Sequence, residues 1–447
     1  MPDIRLAVSG LADAGKTVFI TQLVSHLEHF KRGRFDLGDG RTITDVKLAA
    51  VEVPGVKPFP YQEARDHLLG RAPHYPPATR EPDPDWPPAT QEVTGLRVEF
   101  TLVDESAWFF TRSRYHVEIY DFPGELLVDL NLPDRSFAAW SEDTLRRLRD
   151  PVSPLQAAGV KYLPLLDNLQ GVEPEMLVRG YHDALEAAMR HGARSVTPAA
   201  WIYTRGAAAK TIPIDFAPLP ANAPTPLQDV FSQSFESYTK WLAPLVNVFC
   251  RCDRHVILVD VLEILRAGQA RYVERKAALQ ELIQFYARAH GFLERLVRDL
   301  ATTMRIPIQP SRMPLSKAIV VATKVDAIVE EDRGRLAGLL QEMLESEFKS
   351  LDTAIDFRAC AAYDATRRAT DGQRWVIIGR VPSVPQQAHP REVARVPESW
   401  PDYAWDGSEF RSFRHYLPPI PDGPIRDDAT FPHINLNEIF RELLDLT

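Results

Sequence analysis

A glycine-rich octapeptide near the start of the chain constrains its fold more than any other feature. Residues 10–17 read GLADAGKT and match the phosphate-binding pattern GxxxxGK followed by Ser or Thr. The apolar run at 4–8 predicts a buried strand before the octapeptide, and the apolar spacing over 18–24 predicts a helix after it. A strand, a glycine loop and a helix in this order are the context in which the motif binds nucleotide phosphates.

The octapeptide has the chemistry of an anion site. Gly10 and Gly15 allow backbone N–H groups to turn towards a polyphosphate, and the next helix directs the positive end of its dipole at the same oxygens. Lys16 is expected to reach the β- and γ-phosphates, and the Thr17 hydroxyl is expected to ligate Mg²⁺. The predicted phosphate-binding residues are Asp13, Ala14, Gly15, Lys16, Thr17 and Val18.

Length, charge and cysteine content exclude several classes of protein. A chain of 447 residues is too long for one compact core, so we expect two domains or a large insertion. The net charge of −9 argues against a nucleic-acid partner. Only three cysteines occur, which indicates a reducing compartment rather than a disulfide framework. Because we find neither a secretory signal nor a long apolar span, we expect a cytoplasmic protein, and peripheral membrane contact stays open.

Predicted strands and helices alternate along most of the chain. The predicted strands are residues 4–8, 95–102, 115–120, 255–260, 318–323, 356–361 and 375–379, and the second and third form a hairpin. The predicted helices are 15–30, 135–149, 173–191, 227–250, 269–304, 331–349 and 435–446, and the stretch from the first helix to about residue 92 reads as irregular.

This alternation predicts an α/β fold with a doubly wound, mostly parallel sheet, which is the fold of the P-loop NTPases. The section around 130–250 fits that sheet poorly and reads as a helical insertion. We therefore expect the first part of the core at 1–130, a helical insertion domain at 131–252, and the second part of the core at 253–447, with a helical extension at about 269–304.

A second motif follows the strand at 115–120. Residues 121–124 read DFPG, the DxxG pattern that senses Mg²⁺ and the γ-phosphate in P-loop GTPases. Asp121 would bind the metal, usually through water, and the Gly124 N–H would meet the γ-phosphate. On its own the pattern is equally well explained as a turn after a strand, but its order after the octapeptide favours the functional interpretation.

The residues that would complete the reaction are less well determined. Thr90 and Thr94 both precede the strand at 95–102, and either could be the switch threonine that ligates Mg²⁺. Glu125 stands where many small GTPases have a water-positioning Gln, or it is only a glutamate at a helix N-terminus. Arg112 and Arg114 are predicted in the hairpin turn, as an internal arginine finger or as exposed turn residues.

A third motif predicts the base. Residues 323–326 read TKVD after the buried strand at 318–322. Asp326 would accept hydrogen bonds from the ring N–H and the exocyclic amine of guanine, which adenine cannot offer together, and Lys324 would lie over the base. Cys360 and Ala361, after the next strand, could supply a backbone N–H to the guanine oxygen. Asp260, at another strand end, is a partner of the Mg²⁺ shell or only a strand-end cap.

Five blocks of sequence together resemble a known family. They are 10–24, 86–98, 121–130, 255–262 and 322–328, and they are similar to the bacterial YcjX family of stress-associated P-loop GTPases, earlier labelled as predicted ATPases. The resemblance implies a Ras-like GTPase core, guanine nucleotides with Mg²⁺, and a link to envelope stress. In some bacteria the implied partner is an inner-membrane protein encoded nearby. The WPPxT block favours Thr90 as the switch residue, and no Gln follows Gly124.

These motifs predict a Mg²⁺-dependent protein that binds GTP and GDP, hydrolyses GTP slowly and acts as a stress-related molecular switch. The predicted catalytic residues are Lys16, Glu125 and Thr90, and the predicted metal ligands are Thr17, Thr90 and Asp121. An ATPase on the same fold and a nucleotide-bound scaffold with negligible turnover are the alternatives. The predicted location is the cytoplasm, with peripheral contact at the inner membrane left open.

Overall fold

A computed structural model describes most of the chain, and its contacts separate into two compact units. The described residues are 3–38, 40–71, 85–88, 92–105, 111–151, 153–205, 212–285, 317–348, 355–371, 374–420 and 426–446. The first unit, here called the sheet unit, comprises Met1–Gly124, Arg251–Arg266 and Ser311–Thr447. The second, the helical unit, comprises Glu125–Cys250 and Ala267–Pro310. The functional domain limits given above stay a prediction.

The sheet unit is built on one eight-stranded sheet. Its strands are β1 (Asp3–Gly10), β2 (Arg41–Ala50), β3 (Lys57–Pro58), β4 (Thr94–Asp104), β5 (Thr111–Asp121), β6 (Arg254–Val259), β7 (Lys317–Ala322) and β8 (Ile355–Ala359). Their order is β2-β4-β5-β1-β6-β7-β8, and β3 pairs with β4. Five adjacent strands, β5, β1, β6, β7 and β8, pair in parallel, while β2 and β5 each run antiparallel to β4. The predicted α/β fold with a mostly parallel sheet, and its hairpin, are confirmed.

The helices follow the predicted order with additions. They are α1 (Lys16–Glu28), α2 (Tyr61–Leu68), α3 (Phe137–Arg149), α4 (Gln156–Tyr162), α5 (Pro174–Arg190), α6 (Thr225–Cys250), α7 (Val261–Ala267), α8 (269–285), α9 (Arg333–Phe348) and α10 (Leu436–Leu443). The part of the predicted helix 269–304 beyond residue 285 lies outside the described residues. No described helix has both the length and the apolar character needed to cross a bilayer.

The core of the sheet unit lies on the faces of the central parallel strands. β6 is buried along its whole length, as expected for a parallel strand covered on both faces. Leu6 and Val8 of β1 pack in one cluster with Phe19 and Leu23 of α1. Phe440 of α10 belongs to the same cluster, so the closing helix completes the core around the strand that leads into the glycine loop.

Two expectations about the sheet unit were wrong. The stretch read as irregular up to about residue 92 contains β2 and α2. The sequence did not reveal them because β2 is an edge strand with only one buried residue and α2 has only eight residues. The strand predicted at 375–379 exists, but it belongs to a separate antiparallel sheet of three strands, β9 (Arg367–Asp371), β10 (Arg374–Val381) and β11 (Val384–Glu392), in the order β11-β10-β9.

The helical unit has an aromatic core. The rings of Trp140, Phe216 and Phe235 lie 5.1 to 5.6 Å apart between centroids, so helices α3 and α6 are joined by three mutually packed rings. This arrangement explains the helical periodicity that the sequence shows over 135–149 and 227–250, because both apolar stripes face the same cluster.

A buried carboxyl fixes the first turn of the helical unit. Asp129 is fully buried, and its Oδ2 accepts hydrogen bonds from the Ala199 N–H and the Tyr238 hydroxyl, both at 2.5 Å. Its Oδ1 has no hydrogen-bond partner among the described residues. Burial raises the pKa of Asp129 to about 7. The segment that follows the DFPG motif is therefore anchored four residues beyond Glu125.

Candidate functional site

The glycine loop at the end of β1 has a tightly constrained backbone. Gly10 has φ 139° and Gly15 has φ 88°, conformations that favour glycine, and Asp13 between them has φ 65°. A Cβ at Gly10 would overlap the carbonyl oxygen of Leu258 on the adjacent strand. The two glycines of the motif are thus needed for turning and for close strand packing, as the phosphate-loop interpretation requires.

Lys16 folds back over the loop that carries it. Its side chain is buried, and its Nζ donates to the Gly10 carbonyl at 3.0 Å and to the Leu11 carbonyl at 3.3 Å. A Cβ at Gly124 would lie 2.7 Å from this Nζ and 2.7 Å from the Ala12 nitrogen. The loop after β5 therefore approaches the glycine loop closely only because residue 124 has no side chain.

The predicted metal ligands Thr17 and Asp121 meet at the start of α1. The Thr17 hydroxyl donates to Asp121 Oδ2 at 3.0 Å, and Asp121 is fully buried beside β1, in register with Val8. A hydroxyl and a carboxylate beside a phosphate loop fit Mg²⁺, which takes one or two protein oxygens and completes its octahedron with phosphate and water. The described ranges contain no cluster of three or more His, Cys, Asp or Glu, and such a site needs none.

Of the two candidate switch threonines, only Thr94 is among the described residues. Thr94 stands directly opposite Asp121 in the antiparallel pair of β4 and β5, so both side chains share one face of the sheet. Its hydroxyl is buried and has no hydrogen-bond partner in the described part of the chain. Thr90 lies outside the described residues, and its role stays a prediction.

The TKVD motif follows β7 and engages the end of the neighbouring strand. Lys324 has a left-handed backbone, φ 61°, and its Nζ lies 2.7 Å from Asp260 Oδ2 and 3.1 Å from His415 Nδ1. Asp260 Oδ1 accepts the Glu263 N–H at 2.9 Å and so also caps α7. Burial opposes ionisation of Asp260, but the charge of Lys324 and its hydrogen bond bring the pKa of this carboxyl below the usual range. Asp260 is thus a strand-end cap that also pairs with Lys324.

Asp326 presents a carboxyl that is costly to ionise. Only 7% of the residue is exposed, and burial, aided by the charge of Asp364, raises its pKa to about 7. Its Oδ2 accepts the Ala365 N–H at 3.2 Å, and its carbonyl accepts the Thr366 hydroxyl at 2.6 Å. A ligand that brought two N–H donors to this carboxylate would stabilise its charged form.

The backbone after β8 is already hydrogen-bonded within the fold. The Cys360 N–H donates to the Ala322 carbonyl at 2.9 Å, and the Ala361 N–H donates to the Ile434 carbonyl at 3.1 Å. Burial also raises the pKa of the Cys360 thiol, which keeps it neutral. The predicted contact of these residues with a guanine oxygen stays a prediction, and it requires one of these N–H groups to be shared.

Two arginines considered as an internal finger lie far from this site. Arg112 and Arg114 are within β5 rather than in a turn, because the strand begins at Thr111. Arg114 is seven positions before Asp121 on an extended strand, which corresponds to about 23 Å. Its guanidinium instead lies 3.7 Å from Glu99 on β4. Glu125 begins the helical unit, and its place beside the γ-phosphate stays a prediction.

Two residues that the sequence did not single out lie around the predicted base site: Trp86 contacts Tyr363 and Tyr416, and His415 contacts Lys324. Trp86 Nε1 donates to the Tyr416 carbonyl at 2.9 Å, and its ring meets the Tyr363 ring edge-on at 5.7 Å. His415 contacts Lys324 from 91 positions away. Only the tryptophan carried a sequence signal, as part of the proline-rich block 86–90, whereas nothing in the run around 415 marks it.

The sheet order, the glycine loop and the Thr17–Asp121 pair define a P-loop NTPase. The chain belongs to the YcjX-like family, DUF463, whose family model matches residues 4–446. Its relatives include a protein of Escherichia coli (strain K12) and one of Shewanella oneidensis, both named Ras-like GTPase YcjX. The first is 25% identical over 486 residues, covering 99% of this chain and 95% of the relative. The second is 25% identical over 490 residues, covering 99% and 94%.

One solved structure with a partial likeness is the signal recognition particle receptor SRb-GTP/SRX complex from Chaetomium thermophilum. It is 13% identical, covers 83% of this chain and 95% of that chain, and gives a TM-score of 0.27. The fold of this chain is established by its own strand order and by its family, and not by that likeness.

Proposed function

We propose that this protein binds guanine nucleotides with Mg²⁺ and hydrolyses GTP slowly, as a molecular switch in the cytoplasm. The observation that carries the proposal is the buried carboxyl of Asp326, two positions beyond a lysine fixed at the end of β7. The ionised form of this carboxyl is costly, and guanine would stabilise it because guanine offers a ring N–H and an amine on one edge. Adenine presents a ring acceptor there. The names of the two relatives support the same assignment.

The phosphates and the metal have a matching place in the sheet unit. Lys16 and the glycine loop would hold the β- and γ-phosphates, and Thr17 and Asp121 would hold Mg²⁺. The bound metal would neutralise charge that develops on the phosphate oxygens. Lys16 and the loop N–H groups would stabilise the same charge by their fixed positions.

We infer slow GTP hydrolysis from the residue that follows Gly124. Glu125 replaces the neutral Gln that positions water in many small GTPases, and a carboxylate near the γ-phosphate is repelled by it. The helical unit begins at this residue, and Asp129 anchors its first turn. We infer that this segment reports the nucleotide state to a partner, and the family resemblance supports an inner-membrane stress protein for that role.

The test is base selectivity in the full chain. We expect GDP to bind at least about a hundredfold more tightly than ADP, because the wrong base leaves buried polar groups unpaired. In Asp326→Asn, GDP should weaken by about a hundredfold while xanthosine diphosphate gains, since the amide offers a donor to the second ring carbonyl of xanthine. Glu330→Gln, an exposed acid four positions on, is the matched control and should change nothing. Equal binding of GDP by the wild type and Asp326→Asn, or preference for ADP, would contradict the proposal.

A further inference from the structure

An imidazole lies between two cationic side chains beside the TKVD motif. His415 Nδ1 is 3.1 Å from Lys324 Nζ, and His415 Nε2 is 2.9 Å from an Nη of Arg266, at the end of α7. All three side chains belong to the sheet unit and are partly buried. Both ring nitrogens therefore face hydrogen-bond donors.

A neutral imidazole has only one acceptor nitrogen, so it can accept from one of these cations at a time. A protonated ring would accept from neither and would place a third positive charge between them. The charged groups around the ring are Lys324, Arg266, Asp260 and Asp13, and burial together with Lys324 lowers the pKa of His415 to about 4. The ring is thus neutral in the physiological range and available as an acceptor.

Lys324 is the cation whose position bears on ligand binding. It precedes Asp326 by two residues, and its left-handed backbone is a strained conformation that persists only where the surroundings fix it. Asp260 holds one side of its ammonium at 2.7 Å and His415 the other at 3.1 Å. A long, flexible lysine side chain held at two points binds with a smaller loss of conformational entropy than a free one.

We propose that His415 is a positioning residue for nucleotide binding, which accepts a hydrogen bond from Lys324 and, together with Asp260, holds the lysine in place for the base. The inference rests on the proposed guanine site. This role of His415 requires a hydrogen-bond acceptor at the position of Nδ1, and not merely a side chain that fills the space of the ring.

Two conservative variants separate these requirements. The side-chain oxygen of His415→Asn reaches the place of Nδ1, whereas the polar end of His415→Gln reaches the place of Nε2, towards Arg266. In GDP titrations of the full chain, we expect His415→Ala to bind about ten- to a hundredfold more weakly than the wild type, the range for one lost hydrogen bond to a charged group. His415→Asn should stay within about twofold, and His415→Gln should resemble His415→Ala.

A double-mutant cycle with Lys324→Met provides the readout that a purely structural role would not move. If His415 acts through Lys324, His415→Ala should have no further effect on GDP affinity in the Lys324→Met background. An equal loss in both backgrounds would overturn the inference, and so would GDP binding by His415→Ala that matches the wild type. If His415→Ala fails to fold, a weaker affinity of His415→Asn than of His415→Gln also overturns it. A wild-type chain that does not bind GDP would instead defeat the proposed function itself.

Discussion

The pKa of Asp326 makes a quantitative prediction about GDP binding. Guanine requires the ionised carboxylate as an acceptor, but burial and the charge of Asp364 place its pKa at about 7 in the nucleotide-free protein. A molecule with a protonated Asp326 must therefore release a proton before it can bind the base. The affinity for GDP should therefore rise with pH up to the pKa of Asp326 and level off above it.

The magnitude follows from the ionised fraction. With a pKa of about 7, roughly nine-tenths of Asp326 is ionised at pH 8 and roughly one-tenth at pH 6. The dissociation constant for GDP should therefore be about tenfold larger at pH 6 than at pH 8, which corresponds to about 1.4 kcal/mol of binding free energy. Asp364→Asn removes the neighbouring negative charge, so it should lower the pKa of Asp326 and move the midpoint of the profile to lower pH.

Calorimetric titration with GDP between pH 5.5 and 8.5 measures this profile. The terminal phosphate of GDP also ionises near pH 6, and Asp326→Asn controls for it, because that variant keeps the phosphate contribution and loses the carboxyl. The difference between the two profiles is the part that belongs to Asp326. A difference that stays constant across the range, or an Asp364→Asn midpoint at higher pH, would refute the reasoning.

Two further predictions concern the phosphate and metal side of the site. Thr94→Val removes a buried hydroxyl that has no partner among the described residues, so this variant should keep or raise the melting temperature. The control Thr21→Val removes a hydroxyl bonded to the backbone at 2.7 Å and should lower the stability by about 1 kcal/mol; a clear loss of stability in Thr94→Val alone would contradict the prediction. Gly124→Ala places a Cβ 2.7 Å from Lys16 Nζ and should weaken GDP binding at least about tenfold. The control Gly33→Ala has open space around the new Cβ, so its binding and stability should be within about 0.5 kcal/mol of the wild type. Wild-type affinity in Gly124→Ala would show that the two loops do not need this close approach.

The sequence was most informative where burial is greatest. β6 and β7 were predicted to within one or two residues, because strands covered on both faces read as continuous apolar runs. β2 was missed for the opposite reason, since only one of its ten residues is buried and the strand leaves no hydrophobic pattern. Residues 375–379 were correctly predicted as a strand, but no local pattern says which sheet a strand joins.

The candidate site divides in the same way. The contact of Thr17 with Asp121 was predictable, because each residue belongs to a motif with a fixed place at the end of a strand. The pairing of Asp260 with Lys324 was predictable only in part: parallel strands bring their carboxyl ends together, but the partner could not be chosen. His415 was not predictable, because a single contact over 91 positions imposes no periodicity and no composition on the chain around it.

The central place of β1 has a consequence for synthesis on the ribosome. β1 is made first, yet its neighbours are β5, which ends at Asp121, and β6, which begins only at Arg254. At about 5–20 residues per second, the interval between synthesis of β1 and of β6 is on the order of 10 to 50 s. Throughout that time one edge of an apolar strand has no partner within its own chain, and an unpaired edge of this kind promotes aggregation. We therefore expect the nascent chain to need a chaperone until β6 has left the ribosome.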